Sequence, residues 1–219
     1  GVIIGKSNKM GKPVKVKDAE DYIFGLVLLN DWSARDIQTW EYIPLGPFNA
    51  KNFATTISPW IITLEALQPF EVSLPKQNPE PLPYLIDNNL KSWDIPITVS
   101  LKNKNEKNFE KISTSNYKYM YWSVSQQIAH HTVSGCQLKV GDVLGSGTIS
   151  GNKHEEYGSL FELTENGKKK INVGGKEKTW IEDYDVINMQ AEIQGDGYKI
   201  GFGNCRGEIL PTNDINEYY

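Results

Sequence analysis

Asp31, Arg35, Gln38, Tyr42 and Lys51 place one carboxylate, two cations and two neutral hydrogen-bonding groups in a single short stretch, NDWSARDIQTWEYIPLGPFNAKNF (Asn30 to Phe53). Such a set suits a small, anionic, oxygen-rich substrate. The guanidinium offers a planar fork to a carboxylate, the ammonium a compact point charge, and the carboxamide a donor whose protonation does not change with pH. Converging on one point, these donors would form an oxyanion hole, where losing one costs on the order of 10²–10³ in rate. The same residues also fit a solvated helix face with an Asp31–Arg35 pair one turn apart, which contributes only about 0.2–0.5 kcal/mol. Spacing leaves both readings open.

Other residues carry weaker signals. Asp31 could ligate a hard cation, but magnesium and calcium want six or more oxygens and no D-x-D or E-x-E stands near it. His130 and His131 are adjacent, so on a helix they point about 100° apart and suit capping or packing near a helix end better than shared ligation. His154 falls in the polar GNKHEEYG loop and is expected to be exposed. Glu162, in GSLFELT, reads with a strand's two-residue period; a carboxylate among apolar neighbours needs a cation, or a histidine that it orients. The glycines of GSGTISG (Gly145 to Gly151) would let backbone approach a ligand around Thr148, or would simply make a tight turn or bulge. No Walker lysine is present there.

These side chains need elements to hold them. Val2 to Ile4 reads as the tail of a strand, and the absence of an initiating methionine suggests a chain that has lost its beginning. Lys17 to Leu29 reads as a short helix feeding a buried strand, with Asp31 at that strand's C-terminal end. Helical spacing over Asp31 to Trp40 makes Trp32, Ile37 and Trp40 packing residues, and Pro44 to Pro47 stops the helix. Thr55 to Leu64 reads as one strand with Pro59 at an edge or bulge. Prolines make Gln68 to Tyr84 an extended loop, and Ile95 to Leu101 with Phe109 to Ser113 make a hairpin. A helix is expected through Tyr117, Met120, Tyr121, Val124 and Ile128, capped by Ser115 or Asn116 and closed by Gly135. The C-terminal third is short strands divided by glycines, which points to a roll, barrel or sandwich.

The 219 residues, 39% of them hydrophobic, suffice for one large domain with its own core. A net charge of −4 provides no basic field for a polyanion, so nucleic acid is not an expected partner. No apolar run reaches the length needed to span a bilayer and no secretory signal is visible, so the reading is no membrane and a cytoplasmic compartment. Cys136 and Cys205 lie far apart without a ligand set, as two unpaired thiols.

Together, NDWSARDIQTWEYIPLGPF, the proline loop, MYWSVSQQIAHHTVSGC, GSGTISG and GDGYKIGFGNC resemble the C-terminal domain of the fumarylacetoacetase family over essentially the whole chain. The resemblance implies a mixed, β-dominated roll or sandwich with a few peripheral helices, homodimeric, that hydrolyses the carbon–carbon bond of a small 1,3-diketo acid to fumarate and acetoacetate. It implies magnesium or calcium, with Asp31 a metal ligand and Lys51 and Thr55 beside a second cation. By the same resemblance Arg35, Gln38 and Lys51 stabilise the oxyanion, Gln38, Tyr42 and Thr148 contact substrate, and Glu162 orients a catalytic histidine.

One departure is expected. In the family the base histidine, a further metal aspartate and an E-x-E pair precede the region that matches this chain, and His130, His131 and His154 do not match the base. The 219 residues would then be inactive, or nearly so, by themselves. A related acylpyruvate hydrolase and a non-catalytic β-roll that binds or oligomerises are the competing readings.

Overall fold

Apolar Val2–Ile4 forms β1 with all three residues buried, and a 3₁₀ turn at Val16–Tyr22 leads into Ile23–Leu26 (β2). These and all later elements come from a computed structural model describing residues 1–213. The chain continues through Leu29–Asp31 (β3), Arg35–Glu41 (α1), Asn49–Asn52 (α2), Thr55–Ile57 (β4), Ile62–Thr63 (β5), Leu64–Leu67 (α3) and Glu71–Ser73 (β6). Lys91–Trp93 (β7), Pro96–Lys102 (β8), Glu110–Asn116 (β9), Val124–Thr132 (α4) and Val143–Leu144 (β10) follow. Leu160–Leu163 (α5), Ile171–Val173 (β11), Lys176–Lys178 (β12), Val186–Gln194 (β13) and Lys199–Glu208 (β14) complete the order.

Two four-stranded sheets dominate, ordered β10-β1-β2-β5 and β14-β13-β8-β9, beside the two-stranded ladders β3-β4, β6-β7 and β11-β12. In the second sheet, alternate residues of β8 and β13 pair in register: Ile97 with Ala191, Val99 with Met189, Leu101 with Ile187. That period of two puts an apolar row on one face. Both sheets feed one core, in which Val2, Ile4 and Leu26 are buried with Ile97, Ala191 and Phe202. Burying each large aliphatic or aromatic side chain contributes about 1.5–3 kcal/mol, so this shared core fixes how the two sheets sit.

The expected β-dominated architecture, the strand at Val2–Ile4, the short helix before Ile23 and the β8–β9 hairpin are present, but the single buried strand expected up to Leu29 is split into β2 and β3, which belong to different sheets. Several local expectations need correcting. Ile37 and Trp40 do not pack inward: they are 42% and 88% exposed, and only Trp32 is buried. Thr55 to Leu64 is two strands, because the chain leaves β3 at Pro59 and resumes as β5 against β2. The proline segment is extended at β6, which pairs with β7, but begins and ends in 3₁₀ turns at Gln68–Phe70 and Pro83–Leu85, and its buried Gln77 is bonded to Gln126 of α4. The expected helix at Tyr117 is a 3₁₀ turn capped by Asn116; α4 begins only after Ser123, which forms a capping box with Gln126. Gly135, at φ 92°, does close that helix, as expected.

Candidate active site

A cavity of about 260 Å³ opens between the two main sheets. Val99, Ile187, Met189 and Phe202 line it from the second sheet, and Leu26 from the first. Its polar lining includes Asp31, Arg35, Lys51 and Thr148. Apolar walls with a few charged groups are the usual form of a small-molecule site.

Asp31 does stand at a strand end beside this cavity, but it ends the short β3 and not the buried strand expected before it. Lys51 Nζ lies 2.8 Å from Asp31 Oδ2, and Thr55 is directly opposite Asp31 in the β3–β4 register. The three residues that the resemblance groups around cations are therefore neighbours. Asp31 does not pair with Arg35, although α1 has no buried residue, as the solvated-face reading expects. Arg35 Nη1 instead donates to Gln38 Oε1 at 2.5 Å, one turn along α1, and its guanidinium sits 4.7 Å above the Phe161 ring of α5. A cation–π contact of this kind is worth about 0.5–1 kcal/mol at an accessible site. It joins the helix carrying Arg35 to the helix carrying Glu162.

Glu162 lies in a helical turn rather than a strand. Ser159 caps α5 and donates to Glu162 Oε2 at 2.8 Å, and Ser150 Oγ lies 2.9 Å from both carboxylate oxygens. Among the described residues the side-chain partners of this carboxylate are the Ser150 and Ser159 hydroxyls. The S-x-x-E signature of a helix start was legible at 159–162 and explains the missed element.

Thr148 lies in the GSGTISG segment, which forms no regular element; Gly147 takes φ 81° there and Ser146 to Ile149 border the cavity. Tyr42 is less convergent: it follows α1, is 47% exposed, and is not among the cavity's lining residues. His154 is exposed, with Nε2 at 3.0 Å from the Leu163 carbonyl, while His130 and His131 occupy the last turn of α4 against Tyr84 and Cys136.

The sequence model described as fumarylacetoacetate hydrolase C-terminal matches residues 1–210. The chain belongs to the fumarylacetoacetate hydrolase family. A fumarylacetoacetase from Dictyostelium discoideum is 52% identical over 215 residues, covering 97% of this chain and 50% of that protein. One from Oryza sativa subsp. japonica is 51% identical over 210 residues, covering 96% and 49%. The chain thus spans about half the length of the curated relatives it matches. The solved structure of Cg1458 shares its fold, with a TM-score of 0.56 at 21% identity over 96% of this chain and 58% of that one.

Metal dependence is general in this family. The described residues do not by themselves fit such an ion: no three His, Cys, Asp or Glu side chains among them come close enough to hold one. Asp31 is the one carboxylate among the described residues lining the cavity, and Lys51 occupies one of its oxygens.

Sequence reasoning also missed Glu41. Its carboxylate accepts from the backbone N–H groups of Phe48, Asn49 and Ala50, at 2.7, 3.3 and 2.8 Å. These bonds, Ala50's foremost, hold its carboxyl below the usual carboxylate range. Nothing local signals them, because they close a loop of seven to nine residues.

Proposed function

We propose that the chain is the C-terminal catalytic part of a fumarylacetoacetase, which adds water to fumarylacetoacetate and releases fumarate and acetoacetate in tyrosine and phenylalanine degradation. Identity near one half to fumarylacetoacetases, along nearly the entire chain, is the observation that carries this reading.

The cavity supports it chemically. Water gives a proton to the base as its oxygen bonds to one carbonyl carbon of the diketo acid, and the carbonyl electrons move onto oxygen. Lys51 and Arg35 supply positive charge for that oxyanion. Gln38 spends its carbonyl oxygen on Arg35, so its amide nitrogen is the end able to donate to substrate. The tetrahedral intermediate collapses, its carbon–carbon bond breaks, and the electron pair leaves as an enolate that takes up a proton. Thr148 and Tyr42 are the proposed substrate contacts. Glu162, steadied by Ser150 and Ser159, is the carboxylate that would orient a base histidine.

In this reading the base histidine, and the carboxylates that would join Asp31 about magnesium or calcium beside Lys51 and Thr55, come from chain outside these 219 residues. Residues 1–219 form one catalytic domain that is inactive, or nearly so, without them. The protein is a cytoplasmic homodimer, and a partner would give cover to Trp40, Leu45 and Trp60, which are 88%, 79% and 64% exposed. No helix among the described residues is long and apolar enough to cross a membrane.

The coding sequence upstream of Gly1 tests the reading cheaply. An E-x-E just before it, with an aspartate and a histidine further upstream, is expected. A start codon at this point would remove the base and sink the proposal.

A further inference from the structure

We propose that Glu41 is a positioning residue, whose carboxylate clasps the start of α2 and so holds Lys51 in one frame with Arg35 and Gln38. The inference rests on the reading of Lys51 as an oxyanion donor.

Besides the Lys51–Asp31 pair at its far end, helix α2 has few contacts that set its position against α1. It is four residues long, only Ala50 is buried, and its own N-cap residue, Phe48, supplies no side-chain cap. A helix this short does not persist without outside contacts. Its first N–H groups have no partners within the helix. Glu41, the last residue of α1, takes up three consecutive backbone N–H groups there: Oε1 accepts from Phe48 and Ala50, Oε2 from Asn49. Bonds to an ionised acceptor are roughly twice as strong as neutral ones. A second tie, Ala34 N–H to the Ala50 carbonyl at 3.0 Å, joins α2 to the start of α1. The covalent link between the helices offers no such hold, because Tyr42, Ile43, Leu45 and Phe48 are all exposed along it.

Arg35 and Gln38 ride on α1, and Lys51 rides on α2. The Glu41 clasp is thus the side-chain link that keeps the three donors at a fixed separation. If it opens, α2 can move away from α1 and Lys51 away from Asp31, although Glu41 touches no substrate.

The test uses the intact protein, with Glu41→Gln, Glu41→Ala, Lys51→Ala and the double variant Glu41→Gln/Lys51→Ala. Acetylation by an N-hydroxysuccinimide ester, read by peptide mass spectrometry, reports the freedom of Lys51, with Lys168 and Lys169 as internal controls. Expected is at least threefold faster labelling of Lys51 in both Glu41 variants, with the controls unchanged. On fumarylacetoacetate, Glu41→Gln should lower kcat at least tenfold with KM within twofold, and should cost nothing further once Lys51 is alanine. Unchanged Lys51 labelling, or a fully multiplicative loss in the double variant, would overturn the proposal. Labelling does not depend on the substrate, so it decides the clasp even if the hydrolase reading fails. Should Glu41→Ala not fold, Glu41→Gln, which keeps one acceptor oxygen, gives the answer.

Discussion

Lys51 Nζ lies 2.8 Å from Asp31 Oδ2, although α1 and an exposed turn separate the two residues in the chain. Their side chains are 27% and 52% exposed. An ion pair that accessible contributes only about 0–1 kcal/mol to stability. Its consequence is therefore positional: it fixes a cation at the mouth of an apolar cavity, next to the helix that bears Arg35 and Gln38.

Lys51→Ala or Gln38→Ala in the intact protein should then lower turnover of fumarylacetoacetate at least tenfold, with a stability change below about 1 kcal/mol. Loss of the diketone's ultraviolet absorbance gives the rate and a denaturant titration the stability. Turnover equal to the parent's would remove these residues from the oxyanion role.

Ser150→Ala should lower turnover about tenfold by letting the Glu162 carboxylate rotate, since Ser150 Oγ lies 2.9 Å from both of its oxygens. The hydroxyl also accepts from Gly158 N–H at 3.0 Å, so the stability cost should be about 1–3 kcal/mol, that of two hydrogen bonds. Unaltered kinetics in a folded variant would show that Glu162 needs no such support.

Regular alternation and glycine spacing made the β-dominated fold, the β8–β9 hairpin and Asp31's place at a strand end legible, because these depend on local period. Side-chain capping is what misled the reading elsewhere. Ser123 with Gln126 and Ser159 with Glu162 start helices where a longer helix and a strand were expected. Tertiary placement overrode helical spacing at Ile37 and Trp40, which face outward on a helix with no buried residue of its own. Within the site, Arg35 and Gln38 could be paired from their separation of three. Lys51 against Asp31, and Glu41 against α2, depend on how a loop closes, which no local pattern encodes.

Lys178 and Asp185 form a buried pair at 2.8 Å, with side chains 4% and 1% exposed. Burial pulls the Lys178 pKa down, but its hydrogen bonds to Asp185 and Glu182 outweigh that, and the net shift is upward. A raised lysine pKa stabilises the fold fully below the unfolded value of about 10.4, and that contribution is lost as pH rises through the folded value. Lys178→Met, which leaves Asp185 unpaired, should cost about 3–5 kcal/mol at neutral pH. The gap between parent and variant in urea titrations should narrow above about pH 10.4; a constant gap would contradict the assignment.

Cys136 is exposed and Cys205 is buried, with burial pushing the Cys205 thiol up to about 11. Only thiolate reacts with a disulfide reagent. Within this region at pH 8, peptide mapping after such a reagent should find Cys136 modified and Cys205 untouched until the protein is unfolded. Equal labelling of both in the folded state would contradict the packing around Cys205.

Product formation from fumarylacetoacetate by the intact protein tests the proposed hydrolase activity itself. Stoichiometric fumarate and acetoacetate should appear as the diketone absorbance falls; a folded intact protein that leaves fumarylacetoacetate unchanged would contradict the proposed function.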